Sequence, residues 1–257
     1  MAQIFLPMVA GPGAPGDGAT PASAPVPFGY AIWGVHHAIH HEQLAAGYPV
    51  QAWYPSECCL GYPPFFPALW GTRYWTQLER VREIAAKFPG RTWLLWNEPE
   101  PEFGFGPAPR HTEGQACISP TNARDITVAW VEAIRASGGK IAGWGCTITA
   151  DSHWTKNAWR NWHEEAQRLK FPQPDYHHIH VYATELEEWL KQYEKFQSWN
   201  FNYGGNLPVI ISECGGGPGP GGRAIHQYLQ TWVDPRVLAA LWFTRFDPTE
   251  DPYLVTP

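Results

Sequence analysis

Charge is scarce in this sequence, and nowhere is one sign concentrated. Asp, Glu, Lys and Arg supply 16% of the 257 residues, the formal charge is −6, and no Lys/Arg run occurs. The composition therefore gives no reason to expect a nucleic-acid partner. No apolar stretch approaches the roughly 18 residues that a membrane-spanning helix needs, so no membrane association is expected. The five cysteines, Cys58, Cys59, Cys117, Cys146 and Cys214, are an odd number without CxxC spacing. A disulfide framework would leave one thiol over, and free thiols are the expectation. HExxH is absent, and no Gly-Lys-Ser/Thr follows the glycine run 215–222, so neither a zincin helix nor a phosphate loop is indicated. The N-terminus lacks a basic region and Pro7 breaks its short apolar run, which is not a signal-peptide pattern. A removed signal, or a domain cut from a longer chain, would read the same and leaves localisation open.

Aromatic residues are abundant instead. They make up 15% of the chain, with 15 Trp, too rich for disorder. Residues 1–27 contain a Pro/Gly-rich leader, and 28–257 read as one domain able to bury a large core. Strand-like runs fall at 30–35, 50–54, 65–70, 92–96, 140–147, 177–182, 208–212 and 237–243. Helical periodicity marks 75–88, 122–136, 159–169, 186–199 and 223–233. Eight strands alternating with helices in about 250 residues predict an α/β fold, a compact (β/α)8 barrel. An open doubly wound sheet is the alternative, but no dinucleotide fingerprint follows the first strand. Two outer helices are missing from the pattern: 55–64 is short and Pro/Gly-rich, and nothing helical follows Phe243. Residues 4–8 offer a second choice of first strand.

One run concentrates the chemistry: Trp93-Leu94-Leu95-Trp96-Asn97-Glu98-Pro99-Glu100. The apolar segment suits a strand buried on both faces, and Pro99 ends it near Glu98. An acid at the C-terminal end of a barrel strand sits where such barrels place their active sites. A second run, Leu207-Pro208-Val209-Ile210-Ile211-Ser212-Glu213, repeats the pattern three strands later. Two acids facing each other across a shared mouth are what acetal hydrolysis with retention requires.

Asn97-Glu98-Pro99 on strand four and Ser212-Glu213 on strand seven resemble the two catalytic motifs of clan A glycoside hydrolases. His178-Ile179-His180-Val181-Tyr182 is similar to the clan's sixth strand, and Ala240-Leu241-Trp242-Phe243 to its eighth. Phe65-Phe66-Pro67-Ala68-Leu69-Trp70-Gly71 resembles the third strand of the compact glycosyl hydrolase catalytic-core family, which includes β-1,3-glucanases. The resemblance spans roughly residues 28–248. It implies Glu98 as acid/base and Glu213 as nucleophile, with Asn97 on the sugar 2-hydroxyl. Tyr182 would donate to Glu213 and keep it ionised, His180 would line the mouth, and Trp242 would floor the sugar site. The Arg that many clan members keep at the end of strand two is absent.

Other residues extend this expectation. Trp33 and Trp144 near strand ends, like Trp53, are candidate sugar platforms, and His36 stands close enough to a strand end to contact substrate. Trp93 and Trp96 would wall Glu98 with apolar surface and raise its pKa. His36-His37-Ala38-Ile39-His40-His41 has i, i+4 pairs able to bind zinc, but an exposed helix start explains it as well. His178-x-His180 has the spacing of metal-dependent hydrolase barrels without their further ligands. The expected function is a retaining glycoside hydrolase, cofactor-free and monomeric, acting on a β-linked polysaccharide through two glutamates. A non-catalytic carbohydrate-binding barrel and a zinc hydrolase using the histidine cluster are the alternatives.

Overall fold

A computed structural model describes residues 24–33, 48–52, 65–71, 77–100, 116–148, 157–216 and 219–245. Eight strands form a closed parallel barrel in sequential order. They are β1 (Phe28–Trp33), β2 (Val50–Ala52), β3 (Phe65–Leu69), β4 (Thr92–Leu95), β5 (Lys140–Ile148), β6 (Tyr176–Tyr182), β7 (Val209–Gly215) and β8 (Val237–Arg245). β1 pairs with β8 over six residues, so closure needs no earlier strand. Five helices are described: α1 (Leu78–Lys87), α2 (Pro120–Ala136), α3 (Ala158–Arg168), α4 (Leu186–Asn202) and α5 (Pro220–Thr231). None is long and apolar enough to cross a membrane. The leader up to residue 23 and the alternative first strand lie outside the described residues. Val26 and Pro27 already belong to the barrel: Val26 N–H donates to Trp232 O, and Pro27 O accepts from Ala240 N–H.

Two apolar layers follow from strand alternation. Inside the barrel lie mostly small side chains, Ala31, Ala68, Leu94, Ala142, Ile210, Ala239 and Leu241. Outside, between strands and helices, lies an aromatic layer holding Trp93, Trp96, Trp130, Trp159, Trp189, Trp199 and Trp242. Every described tryptophan side chain is buried. The tryptophan excess therefore mainly builds the barrel–helix interface, where each large ring removes much apolar area from water.

Helix starts differ from the periodic expectation where capping decides. α2 begins at Pro120 rather than 122, because Ser119 Oγ accepts from Asn122 N–H and Pro120 occupies the first turn, where its missing N–H costs nothing. α5 begins at Pro220, again with proline in the first turn but with Gly219 before it and no side-chain cap, and β7 runs on to Gly215. The glycine run after Glu213 is therefore largely strand end and helix start. A Cβ on Gly221 would stand 1.9 Å from Thr184 O, so glycine there permits close approach of α5 to the end of β6. The described cysteines, Cys117, Cys146 and Cys214, are free; Cys58 and Cys59 lie outside the described residues.

Candidate active site

The mouth is assembled from β2, β5, β6, β7 and the segment after β4. β4 stops at Leu95, earlier than expected, because Trp96 (φ 66°) and Glu98 (φ 45°) both enter the left-handed region. Such backbone costs about 1–3 kcal/mol per non-glycine residue and persists only where the surroundings enforce it. Here they do. Trp96 N–H donates to Leu69 O at 2.8 Å, and Glu98 N–H to Gly145 O at 2.9 Å. The carbonyls of Asn97, Glu98 and Pro99 accept in turn from Ala116, Cys117 and Ile118.

Glu213 reaches the mouth through a bulge. On β7, Ile210 faces the interior and Ile211 the helices, so Ser212 faces inward and strict alternation would turn Glu213 out. The register with β6 slips there, with Ile179 opposite Ile211 but His180 opposite Glu213. The extra residue lets Ser212 and Glu213 both point inward. Ser212 Oγ meets His178 Nδ1 at 2.9 Å, while His178 Nε2 faces Leu95 O at 2.7 Å. A carbonyl accepts only, so Nε2 carries the proton and Nδ1 accepts from Ser212. Burial drives His178 down to about 3, and it stays neutral. With both ring nitrogens engaged it supports the site from below and is no metal ligand. Gly145 makes room for it: a Cβ there would lie 2.6 Å from the ring and 2.4 Å from Trp96 O.

The two acids converge on one imidazole. His180 Nδ1 stands 3.1 Å from Glu98 Oε1 and 3.5 Å from Glu213 Oε2. Oxygen and nitrogen atoms of the three residues lie within 4.8 Å of one another. Thr147 Oγ1 donates to Glu98 Oε1 at 3.0 Å and Tyr182 OH to Glu213 Oε2 at 2.5 Å. The side chains of Glu98 and Glu213 are 12% and 4% exposed, and His180 is fully buried. Burial raises Glu213 to about 7, and Glu98 pushes the same way; His180, Tyr182 and Gln51 pull it down without prevailing. Tyr182 thus donates to Glu213 and favours its charged form as expected, but burial outweighs it. Burial disfavours charge on His180, but Glu213, Glu98 and Glu100 outweigh it and raise its pKa. Burial first, then Glu213, raises Tyr182, which keeps its proton to donate.

Of the residues anticipated from sequence, Glu98, Glu213, His180 and Tyr182 meet at this point, with Asn97 buried next to Glu98. Two tryptophans do not. Trp242 faces outward and packs edge-on against His226 of α5, at 5.0 Å between centroids. Its neighbour Phe243 faces the mouth, 6.1 Å from the Tyr182 ring, and lines a cavity of about 400 Å³ with Tyr182, Gly215 and Glu188. Trp144 belongs to the helix-side layer, packing against Trp162 and Phe171. Trp93 and Trp96 also belong to the helix-side layer, with Trp96 Nε1 donating to Thr127, so they do not wall Glu98. The side chain of Trp33, together with Trp53 and His36–His41, lies outside the described residues. Residues not anticipated are Gln51, Thr147, Glu100 and Phe243. Gln51, buried on β2, is a neutral group that favours the charged form of Glu213. Among the described residues only Glu98, His180 and Glu213 form a donor set able to hold a metal ion.

A closed (β/α)8 barrel with two glutamates facing each other across its C-terminal mouth defines the glycoside hydrolase class of barrel. The sequence matches the glycosyl hydrolase catalytic core family over residues 52–235, and the chain belongs to that family. The fold is similar to solved members of glycoside hydrolase family 128. An endo-β-1,3-glucanase from Amycolatopsis mediterranei, in complex with laminaritriose, is 16% identical, with 88% of this chain and 91% of that one covered and a TM-score of 0.57. An exo-β-1,3-glucanase from Aureobasidium namibiae is 18% identical, with 91% and 90% covered and a TM-score of 0.60. An oligosaccharide-binding protein from Trichoderma gamsii is 13% identical, with 86% of each chain covered and a TM-score of 0.55. No curated protein matches the sequence.

Proposed function

We propose that the protein hydrolyses β-1,3-glucan with retention, by double displacement between Glu213 and Glu98. The observation that carries this reading is the contact of both carboxylates with one His180 nitrogen, with acid and base atoms within 4.8 Å. Retaining enzymes separate their carboxyl groups by about 5–5.5 Å, and inverting enzymes need about 6.5–9.5 Å to admit a water. Glu213 is the more enclosed acid and receives the Tyr182 hydroxyl, which favours its charged form and fits a nucleophile. Glu98 is the more open of the two, as suits a group that must meet both leaving group and water. Glu213 attacks the anomeric carbon while the bond to the leaving oxygen breaks and Glu98 hands that oxygen its proton. Glu98 then takes a proton from water, whose oxygen displaces Glu213. Asn97 would hold the sugar 2-hydroxyl, and Phe243 takes the platform role first assigned to Trp242. No cofactor enters these steps, and the chain acts as a monomer. The β-1,3 linkage is supported by the two glucanases above that share the fold.

The test is product release from laminarin, cellulose, xylan and mannan by wild type, Glu98→Gln and Glu213→Gln, with the product anomer followed by NMR. Laminarin cleavage with a β-anomer first product, lost in both variants, is expected. The binding protein of the same fold gives one alternative specific weight. Laminari-oligosaccharide binding without release by wild type would establish that reading instead. Activity lost to chelators but kept in Glu213→Gln would point instead to a zinc hydrolase using the histidine cluster.

A further inference from the structure

A third carboxyl stands behind the two acids, and the mechanism above does not use it. Glu100 is fully buried. Its Oε1 accepts from Thr147 N–H at 2.7 Å, and Oε2 has no hydrogen-bond partner among the described residues. The contact has a place in the sheet pattern. In a parallel ladder a residue gives its N–H to one position of the neighbouring strand and its C=O accepts from the N–H two positions on. Glu98 follows the first half of this rule, with its N–H on Gly145 O. The second half would put Thr147 N–H on Glu98 O. That carbonyl instead faces Cys117 N–H at 3.4 Å, and the Glu100 carboxyl takes the Thr147 rung. The same Thr147 points its hydroxyl at Glu98 Oε1, 3.0 Å away.

We infer that Glu100 is a positioning residue for Glu98: it replaces a missing backbone acceptor, fixes the end of β5, and so aims the Thr147 hydroxyl at the acid/base oxygen. This inference rests on the assignment of Glu98 in the proposed mechanism. Pro99 fits it, because a fixed φ between the two glutamates orients Glu100 back toward β5. So does charge. Burial, with Glu98 adding to it, raises Glu100 to about 8, so at neutral pH the third acid is mostly protonated and adds little negative charge to the mouth.

The full chain is assayed as wild type, Glu100→Ala, Glu100→Gln, Thr147→Val and the double variant Glu100→Ala/Thr147→Val. Laminarin and a 2,4-dinitrophenyl β-laminaribioside serve as substrates, the second leaving without a proton. Glu100→Ala should lower kcat on laminarin by about 10–100-fold, the scale of a small misplacement at the reacting centre, with KM within about twofold. Glu100→Gln, which keeps an acceptor for Thr147 N–H, should recover most of the loss. Thr147→Val should cost about tenfold, as for one lost hydrogen bond, and Glu100→Ala should add less than about threefold on top of it. On the dinitrophenyl substrate, bond cleavage measured as a pre-steady-state burst should be nearly unaffected. Where Glu100→Ala does not fold, Glu100→Asp, one methylene too short to reach, should show the same split. An undiminished loss in the Thr147→Val background, equal losses on both substrates, or no loss at all would overturn the inference. Glu98→Ala separates the two claims: near-full activity on laminarin would sink the acid/base assignment itself, whereas azide-restored cleavage of the dinitrophenyl substrate would leave it standing.

Discussion

Acid should silence this enzyme well above the pH at which ordinary carboxylates titrate. In the proposed mechanism Glu213 must be ionised to attack, yet burial raises it to about 7 against the pull of His180, Tyr182 and Gln51. The kcat/KM profile, which reports the free enzyme, should therefore carry its acid limb near pH 7. Two pH units lower, about 1% of Glu213 remains charged, so activity at pH 5 should fall about 100-fold below the plateau. Tyr182→Phe removes a hydroxyl that donates to the charged form at 2.5 Å. Hydrogen bonds to charged groups contribute about 1.5–3 kcal/mol, so the limb should move up by about 1–2 pH units. Stability follows with a definite sign. A carboxyl raised in the folded state keeps a proton that the unfolded chain has lost, so its burial destabilises increasingly from pH 4.5 to about 7 and is constant above. Glu213→Gln removes that dependence, and its stability relative to wild type should climb by about 1.4 kcal/mol per pH unit across the window. The assays are initial rates on laminarin from pH 4 to 9 and urea unfolding at matched pH. A wild-type limb near 4.5, or one that Tyr182→Phe leaves in place, would refute the reasoning.

Two further substitutions test the geometry. Gly145→Ala puts a methyl against Trp96 O and the His178 ring at a residue with φ of +64°, so it should cost about 3 kcal/mol or more in urea unfolding and most of the activity. Trp242→Ala and Phe243→Ala should separate cleanly. The first empties a site on the helix-side layer and should lose about 3–5 kcal/mol of stability with KM unchanged, while the second should raise KM for laminari-oligosaccharides about tenfold with little loss of stability. The reverse pattern would return the platform role to Trp242.

The strand and helix order was legible because its signals are local and long. β-branched and aromatic runs of strand length alternate with segments of helical period, as in Val209-Ile210-Ile211 before α5 and Val81, Ile84 and Ala85 within α1. Both acids were legible for the same reason: each closes an apolar run with a polar residue. What escaped was the facing of side chains wherever alternation is broken, and it is broken where the site is built. Counting by twos from Ala142 sends Trp144 inward, and counting from Ile210 sends Glu213 outward; the structure reverses both, at irregularities that no composition signal marks. Trp242 was lost more simply, since the sequence offers two adjacent aromatics and phase alone selects Phe243. Glu100 shows the deeper limit. Its acidity is plain in Asn97-Glu98-Pro99-Glu100, but its role depends on Thr147, 47 residues away, whose N–H lacks a carbonyl only because Glu98 has turned left-handed. A residue that repairs a ladder can be recognised only after the ladder is seen to fail, and here it fails at the acid it serves.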